Sequence, residues 1–372
     1  MKKGWQTKTL GETCEVVNGG TPKTGVPEYW DGQHRWITPA EMGKRLSPYV
    51  SETERMISDL GLRNSSAQML PPQSVILSSR APIGHLVINT ELMATNQGCK
   101  GLIPRSHLQH KFLYYYLSSI VDLLNSLGTG ATFKELSGGK LKEVEIPVPP
   151  LAEQQRIVGL LDEAVEGLAT AKANAEKNLQ NARALFESHL QSVFTQRGPG
   201  WKTMPFGDVL EIRNGRNQRE VESTKGKYPI YGSAGNVMGM ATDFICEAGT
   251  IIIGRKGNIN SPIYAESRFW NVDTAFGLAA KPDLDSRFLY FFCLSYDFSA
   301  HNRGTTIPSL VKSELLNISM HVPALAVQKE ITTTLDMLLK NTQRLARLYE
   351  RKQAALEALK KSLLHQAFTG EL

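Results

Sequence analysis

The residues best equipped for chemistry in this chain are cationic and amide side chains gathered in short loops punctuated by glycine and proline. The run Gly19-Gly20-Thr21-Pro22-Lys23-Thr24 is a turn carrying a lysine, and Gly215-Arg216-Asn217-Gln218-Arg219 stands as its counterpart later in the chain. Arg80 follows the apolar run Ser74-Val75-Ile76-Leu77. Arg255, Lys256, Asn258 and Asn260 follow the similar run Thr250-Ile251-Ile252-Ile253. Asn96, Gln97 and Lys100 form a further group, and Gly128-Thr129-Gly130 and Arg303-Gly304-Thr305-Thr306 are additional polar loops. Arginine and lysine suit phosphate oxygens and guanine edges, and asparagine and glutamine suit adenine edges. The candidate nucleic-acid contacts are therefore Thr21, Lys23, Arg80, Asn96, Lys100, Arg216, Arg219, Arg255, Lys256, Asn258, Arg303 and Thr305. Taken singly, each also fits an ordinary solvated loop. The recurrence of such loops in two places favours a nucleic acid.

Groups arranged for covalent chemistry are missing from the sequence. Gly138-Gly139-Lys140-Leu141 lacks the hydroxyl that completes a phosphate-binding loop. The glycines at 232, 235 and 239 have the wrong spacing for a dinucleotide fingerprint, and there is no nucleophile elbow. No Asp- or Asn-Pro-Pro-aromatic tetrapeptide of an amino-methyltransferase occurs, and Pro282-Asp283-Leu284-Asp285 matches a nuclease motif only loosely. His107 and His110 read as surface residues, so no catalytic residue and no metal site is assigned. Cys14, Cys99, Cys246 and Cys293 are scattered without a CxxC pair, which fits a reducing cytoplasm. No apolar run is long enough to cross a membrane, and Met1-Lys2-Lys3-Gly4-Trp5-Gln6 is not followed by the apolar stretch of a signal peptide. A net charge of +6 over 372 residues permits nucleic-acid binding without demanding it.

The elements that must position these loops are revealed by internal duplication. Leu151-Ala152, Gln154 and Ile157 recur as Leu325-Ala326, Gln328 and Ile331, an offset of 174 that also pairs Leu161-Asp162 with Leu335-Asp336 and Phe194-Thr195 with Phe368-Thr369. The same offset places Gly130-Ala131-Thr132 over Gly304-Thr305-Thr306 and Val148-Pro149 over Val322-Pro323. Near the start of each copy the offset is 196, pairing Gly4-Trp5 with Gly200-Trp201 and Asn18-Gly19 with Asn214-Gly215. The first copy is thus 22 residues longer, and the pair Phe112-Leu113-Tyr114 and Phe288-Leu289-Tyr290, offset by 176, puts the extra length before residue 112. Each copy is a globular unit followed by a long proline-free segment: 1–150, then 151–196; 197–324, then 325–372.

Both proline-free segments read as helices, opened by Pro149-Pro150 and Pro323 and closed by Gly198-Pro199-Gly200 and Gly370. In the second, Ile331, Leu335, Leu338, Leu345, Tyr349, Leu356, Leu359 and Leu363 alternate in steps of four and three, with Thr342 and Lys352 filling the gaps. That is a coiled-coil seam. The matching positions of the first helix are alanine-rich: Ile157, Leu161, Ala164, Leu168, Ala171, Ala175, Asn178, Ala182, Leu185 and His189. Small residues facing large ones suit an intramolecular antiparallel pair. Pairing of each helix with a partner chain is the alternative. Ile157, Leu161, Leu168, Leu185, Ile331, Leu335, Leu345, Leu356 and Leu359 are the expected packing residues, with Asn178 and Lys352 as register-setting polar positions. Helices of this length would reach roughly 65 Å, a ruler between two similar domains. The globular units read as mixed α/β with short strands, each including one aromatic core helix, Phe112 to Leu117 and Phe288 to Leu294. The expected class is α+β, with a pseudo-twofold internal repeat.

Taken together, several segments resemble the specificity subunit of Type I restriction–modification systems over essentially the whole length. They are Asn18-Gly19-Gly20-Thr21-Pro22, Arg80-Ala81-Pro82-Ile83-Gly84, the run from Ile146 through Pro147, Pro149, Pro150 and Glu153 to Ile157, and the closing Phe368-Thr369-Gly370-Glu371-Leu372. The second copy departs from the pattern at His321-Val322-Pro323-Ala324 and Arg255-Lys256-Gly257. The resemblance implies two target-recognition domains, each reading one half of a split double-stranded DNA sequence, for a non-catalytic subunit of phage defence. It implies that the paired helices set the gap and dock two methyltransferase subunits, with two motor-nuclease subunits completing the complex. No cofactor is expected on this chain; S-adenosylmethionine, ATP and magnesium are expected on the partners. The competing expectation is a nucleic-acid scaffold outside restriction, such as an RNA-binding adaptor. That reading calls for aromatic stacking loops, whereas the loops here are richer in Arg, Asn, Thr and Gly.

Overall fold

A computed structural model of the chain describes residues 4–80, 82–130, 134–196, 198–233 and 235–372. Ala81 of the first arginine turn and Ala131 and Thr132 of the repeated loop lie outside them. The chain folds as two compact units, one of Met1–Asn174 with Lys352–Leu372 and the other of Ala175–Arg351. Each unit therefore takes a globular part together with a portion of both long helices, Leu151–Thr195 and Leu325–Thr369.

In the first unit the main sheet has the strand order Cys14–Asn18, Cys99–Pro104, Val75–Ser79, Ile83–Asn89 and Tyr49–Val50. Neighbours are antiparallel except for the last pair. Val75–Ser79 is buried at every position, as an apolar run in a sheet covered on both faces requires. A second sheet joins Arg55–Ile57, Trp30–Ile37 and Met93–Thr95. The second unit repeats this plan with Leu210–Asn214, Ala275–Ala280, Ile251–Gly254 and Ile263–Tyr264, and with Val237–Ala241, Tyr228–Tyr231 and Trp270–Asn271. Among the described residues the edge strand Tyr49–Val50 has no counterpart there. It belongs to residues 38–54, which join Trp30–Ile37 to Arg55–Ile57 where the second copy has only residues 232–236. Much of the extra length of the first copy sits in this connection.

Each globular part is anchored to its helix in the same way. Gln6–Thr9 pairs with Glu145–Val148, and Lys202–Pro205 with Ser319–Val322, so the strand entering each long helix is pinned to the start of its own copy. The aromatic helices His110–Ser119 and Ser286–Ser295 are core elements, burying Phe112, Leu113 and Leu117 in one copy and Phe288, Leu289 and Phe291 in the other. Fully buried Gln154 accepts the amide of Gln109 (2.8 Å) and donates to the carbonyls of His107 (2.9 Å) and Pro149 (2.8 Å). Gln328 accepts the amide of Asp285 (2.7 Å) and donates to Asp283 (3.0 Å) and Pro323 (2.8 Å). Two turns further on, Asp162 accepts from Lys111 Nζ and Tyr115 Oη, both at 2.6 Å. Asp336 holds Arg287 bidentately. The residues shared at offset 174 are thus a polar latch between each long helix and its globular part.

The two helices run antiparallel within each unit. In the first, Arg156 donates to the carbonyl of Leu372 (2.8 Å) and Lys172 meets Glu357 (2.5 Å), while Ile157 and Leu161 pack with Leu364 and Ala367. In the second, Leu190 and Phe186 pack with Leu335 and Leu339, and Arg183 meets Glu350 at 3.0 Å. The seam differs in part from the expected one. Leu185, Leu345 and Leu359 are 54%, 40% and 48% exposed, and Asn178 and Lys352 are also exposed. Phe186, Leu339, Ala346 and Gln353 turn inward beside the shared positions Leu335, Thr342, Tyr349 and Leu356. The reason is geometric. Steps of four and three can be followed along two lanes one residue apart, and the spacing of leucines does not say which lane faces the neighbouring helix. Asn178 and Lys352 accordingly do not set register from within the seam.

Candidate nucleic-acid interface

In both copies the candidate loops are built around one turn, residues 95–99 in the first and 271–275 in the second. The amides of Gly19 and Gly20 donate to the carbonyls of Cys99 (3.1 Å) and Thr95 (2.9 Å). Those of Gly215 and Arg216 donate to Ala275 (3.2 Å) and Asn271 (3.0 Å). Glycine is required by this approach. A Cβ on Gly19 would lie 1.9 Å from the carbonyl oxygen of Asn96, and one on Gly215 would lie 1.8 Å from that of Val272. An indole then caps the loop. Trp36 donates to the carbonyl of Gly20 (2.9 Å) and Trp270 to that of Arg216 (3.0 Å). The two tryptophans come from different members of the parallel strand pair, Trp30–Ile37 in one copy and Trp270–Asn271 in the other.

The second loop on this turn follows the buried central strand. Arg80 forms an isolated backbone bridge with Glu135, and Lys256 with Ser309. The amide of Leu136 donates to Ser79 and that of Leu310 to Arg255, both at 2.8 Å. Lys256 is therefore the structural counterpart of Arg80, and Arg255 that of Ser79. Lys256, rather than the arginine that precedes it, thus takes the place of Arg80.

In the first unit, Arg80, Asn96 and Lys100 come together. Arg80 lies 3.4 Å from Glu135, with about a third of its side chain exposed. The Asn96 side chain accepts the amide of Gly98 (2.5 Å), bracing the turn. Lys100 is buried rather than presented outward. Burial holds its ammonium below the usual lysine range, Glu135 opposes that shift, and Arg80 adds to it. The burial of Lys100 follows from its strand, since Cys99–Pro104 runs through the interior of the sheet. Thr21 accepts the amide of Gln97 at 3.5 Å, tying its loop to the turn. Lys23 is exposed, and its carbonyl receives the indole of Trp30.

In the second unit, exposed Arg216 and Arg219 line a cleft of about 420 Å³ floored by Trp270. On the other side of the turn, Arg255 sits over the Phe276 ring at 5.7 Å and donates to the carbonyl of Asp273 (3.3 Å). Lys256 and Asn258 are exposed, and neither Arg255 nor Lys256 forms an ion pair among the described residues. Arg303 is exposed but engaged bidentately by Glu314 at 2.8 and 3.0 Å. Thr305 is exposed on the same loop. Sequence reasoning passed over Glu135 and Glu314, the acids that orient Arg80 and Arg303. It also missed Arg55, an exposed guanidinium stacked 3.7 Å over Trp30. These partners are far apart in sequence and leave no local signal. Among the described residues no group of three or more His, Cys, Asp or Glu is placed to hold a metal ion, and no helix is long and apolar enough to cross a membrane.

Two copies of one α+β fold, each carrying donor-rich loops around an equivalent turn, make this a tandem-repeat protein. The model of the Type I restriction modification DNA specificity domain matches residues 2–179 and 199–354, and the chain belongs to that family. The MjaIX Type I restriction enzyme specificity subunit of Methanocaldococcus jannaschii is 31% identical over 271 residues, which are 66% of this chain and 62% of that relative. The chain thus matches less than two thirds of that relative's length. A solved chain described as the structural basis underlying complex assembly and conformational transition of the type I R-M system superposes with a TM-score of 0.84 at 18% identity, covering 100% of this chain and 99% of that one. The HsdS subunit from Thermoanaerobacter tengcongensis does so with a TM-score of 0.65 at 18% identity, covering 100% and 98%. At such identity the likeness to the two structures is one of fold.

Proposed function

We propose that this chain is a non-catalytic DNA-recognition subunit that reads a bipartite double-stranded target and directs partner methyltransferase and restriction subunits to it. The observation that carries the reading is the pair of equivalent loop sets with unlike side chains. Thr21 and Lys23 stand where the second copy has Asn217 and Arg219, and Arg80 stands where it has Lys256. The same scaffold with different donors reads two different half-sites. S-adenosylmethionine, ATP and magnesium belong to the partners on this reading, and the setting is the cytoplasm, where host DNA lies.

The outward lane of the second long helix supports a docking role. Exposed Leu345 and Leu348 lie beside Arg344, Arg347 and Arg351 in a groove of about 720 Å³. Two methyltransferase subunits on the long helices and two motor-nuclease subunits complete the proposed assembly. The test is to co-express the chain with the methyltransferase encoded beside it and map methyladenine across the host genome. A split motif of two unlike halves with a fixed gap is expected. A soluble complex that adds no methylation would overturn the reading and make RNA the next ligand to test.

A further inference from the structure

Ile307 is a large apolar side chain 59% exposed at the tip of the loop that follows Arg303. The loop is braced rather than slack. The Asn302 side chain accepts the amides of Gly304 and Ser309, both at 2.8 Å, and donates to the carbonyl of Gly304 at 3.1 Å. The amide of Gly257 donates to Pro308 at 2.8 Å, and Lys256 bridges to Ser309. A Cβ on Gly304 would lie 1.8 Å from the Ile307 carbonyl oxygen, so the turn closes only on glycine. Pro308 disfavours a helical Ile307. A branched aliphatic group is thus held outward on a fixed loop, next to Lys256 and Asn258. That setting is complementary to a polyanion rather than to an apolar protein face.

The duplication separates two kinds of position. Those that differ between copies serve to tell one half-site from the other. Position 307 does not behave that way, since at offset 174 the first copy carries Phe133, also large and apolar (this residue lies outside the described residues and enters only as sequence). A feature kept in both copies serves a step both half-sites share. On the proposed function, which this inference rests on, that step is the removal of an adenine from the base stack for methylation. Apolar side chains inserted at a base step partially unstack it and kink the duplex.

We infer that Ile307 is a wedge that enters the DNA at a base step beside the adenine to be methylated in the second half-site. The test uses the complex of this chain with its methyltransferase and a duplex carrying the mapped site, with 2-aminopurine replacing that adenine. Wild type is expected to give a rise in fluorescence. Ile307→Ser should cut the rise several-fold while affinity falls by less than about tenfold, and Ile307→Leu should keep it. An undiminished rise with Ile307→Ser overturns the inference. So does a defect that vanishes when uracil replaces a thymine of the half-site, which would make Ile307 a reader of a methyl group. Failure of the Ile307→Ser chain to co-purify with the methyltransferase would also overturn it, by making position 307 a protein contact. If the wild-type complex binds no methylated site at all, the proposed function itself fails, and the inference with it.

Discussion

Arg80 and Lys256 occupy the same place in the two copies, yet their surroundings differ. Arg80 has Glu135 at 3.4 Å, while the bridged residue opposite Lys256 is Ser309. A lysine without a fixed acidic partner suits a phosphate as a point charge, whereas an arginine oriented by a carboxylate suits a base edge. Lys256→Ala is therefore expected to weaken binding about equally on all sequences and to reduce the salt slope by about one, read by titration at several salt concentrations. A change confined to one base position would count against a phosphate contact. Arg255→Ala is expected to weaken binding to the second half-site by about 1–3 kcal/mol and to relax discrimination at one position. Unchanged discrimination throughout that half-site would remove Arg255 from the readers. Lys100 is expected to behave differently from both, since it is buried.

Among the elements, the long helices carry two distinct faces. Leu335 is fully buried and Leu345 is 40% exposed, though both fit the same run of fours and threes. Leu335→Ala is expected to destabilise the protein by about 2–5 kcal/mol and Leu345→Ala by no more than about 0.5 kcal/mol. Equal denaturation midpoints for the two variants would show that the inward lane has been misassigned. Gln154→Ala leaves the buried carbonyl of Pro149 and the half-buried carbonyl of His107 and amide of Gln109 without their partner, at a cost of about 1–3 kcal/mol for each buried group left unsatisfied. A urea midpoint within error of wild type would contradict the latch. Between the helices, a hydrogen bond from Lys172 holds the Glu357 carboxyl below its ordinary value of 4.5. An acid with a lowered folded pKa stabilises the fold above its unfolded value and loses that contribution as pH falls through the folded one. Both side chains are half-exposed, so the effect is at most about 1 kcal/mol. The difference in Tm between wild type and Glu357→Gln should close as pH drops from about 5 to about 3. A difference that grew on acidification would mean the opposite sign.

At the scale of the whole molecule, each long helix contributes to both compact units, and on the proposed function the gap between half-sites depends on these helices. Inserting the same number of helical turns into both should change the spacer of the methylated motif and leave its two halves unaltered. Recognition of the original spacer at full affinity would refute the ruler. The duplication, the α+β class and the two helices were legible in the amino-acid sequence, because repeats, proline-free segments and four-three spacing are local patterns that survive in one dimension. The candidate loops were legible as a set for the same reason. Their ranking was not, because it depends on partners brought close only by folding. Glu135 meets Arg80, Glu314 claims Arg303, and the sheet buries Lys100. Tertiary structure alone also decided which of two leucine lanes turns inward and that Lys256, not Arg255, answers Arg80, since a helix face and a strand register acquire their meaning only from what packs against them.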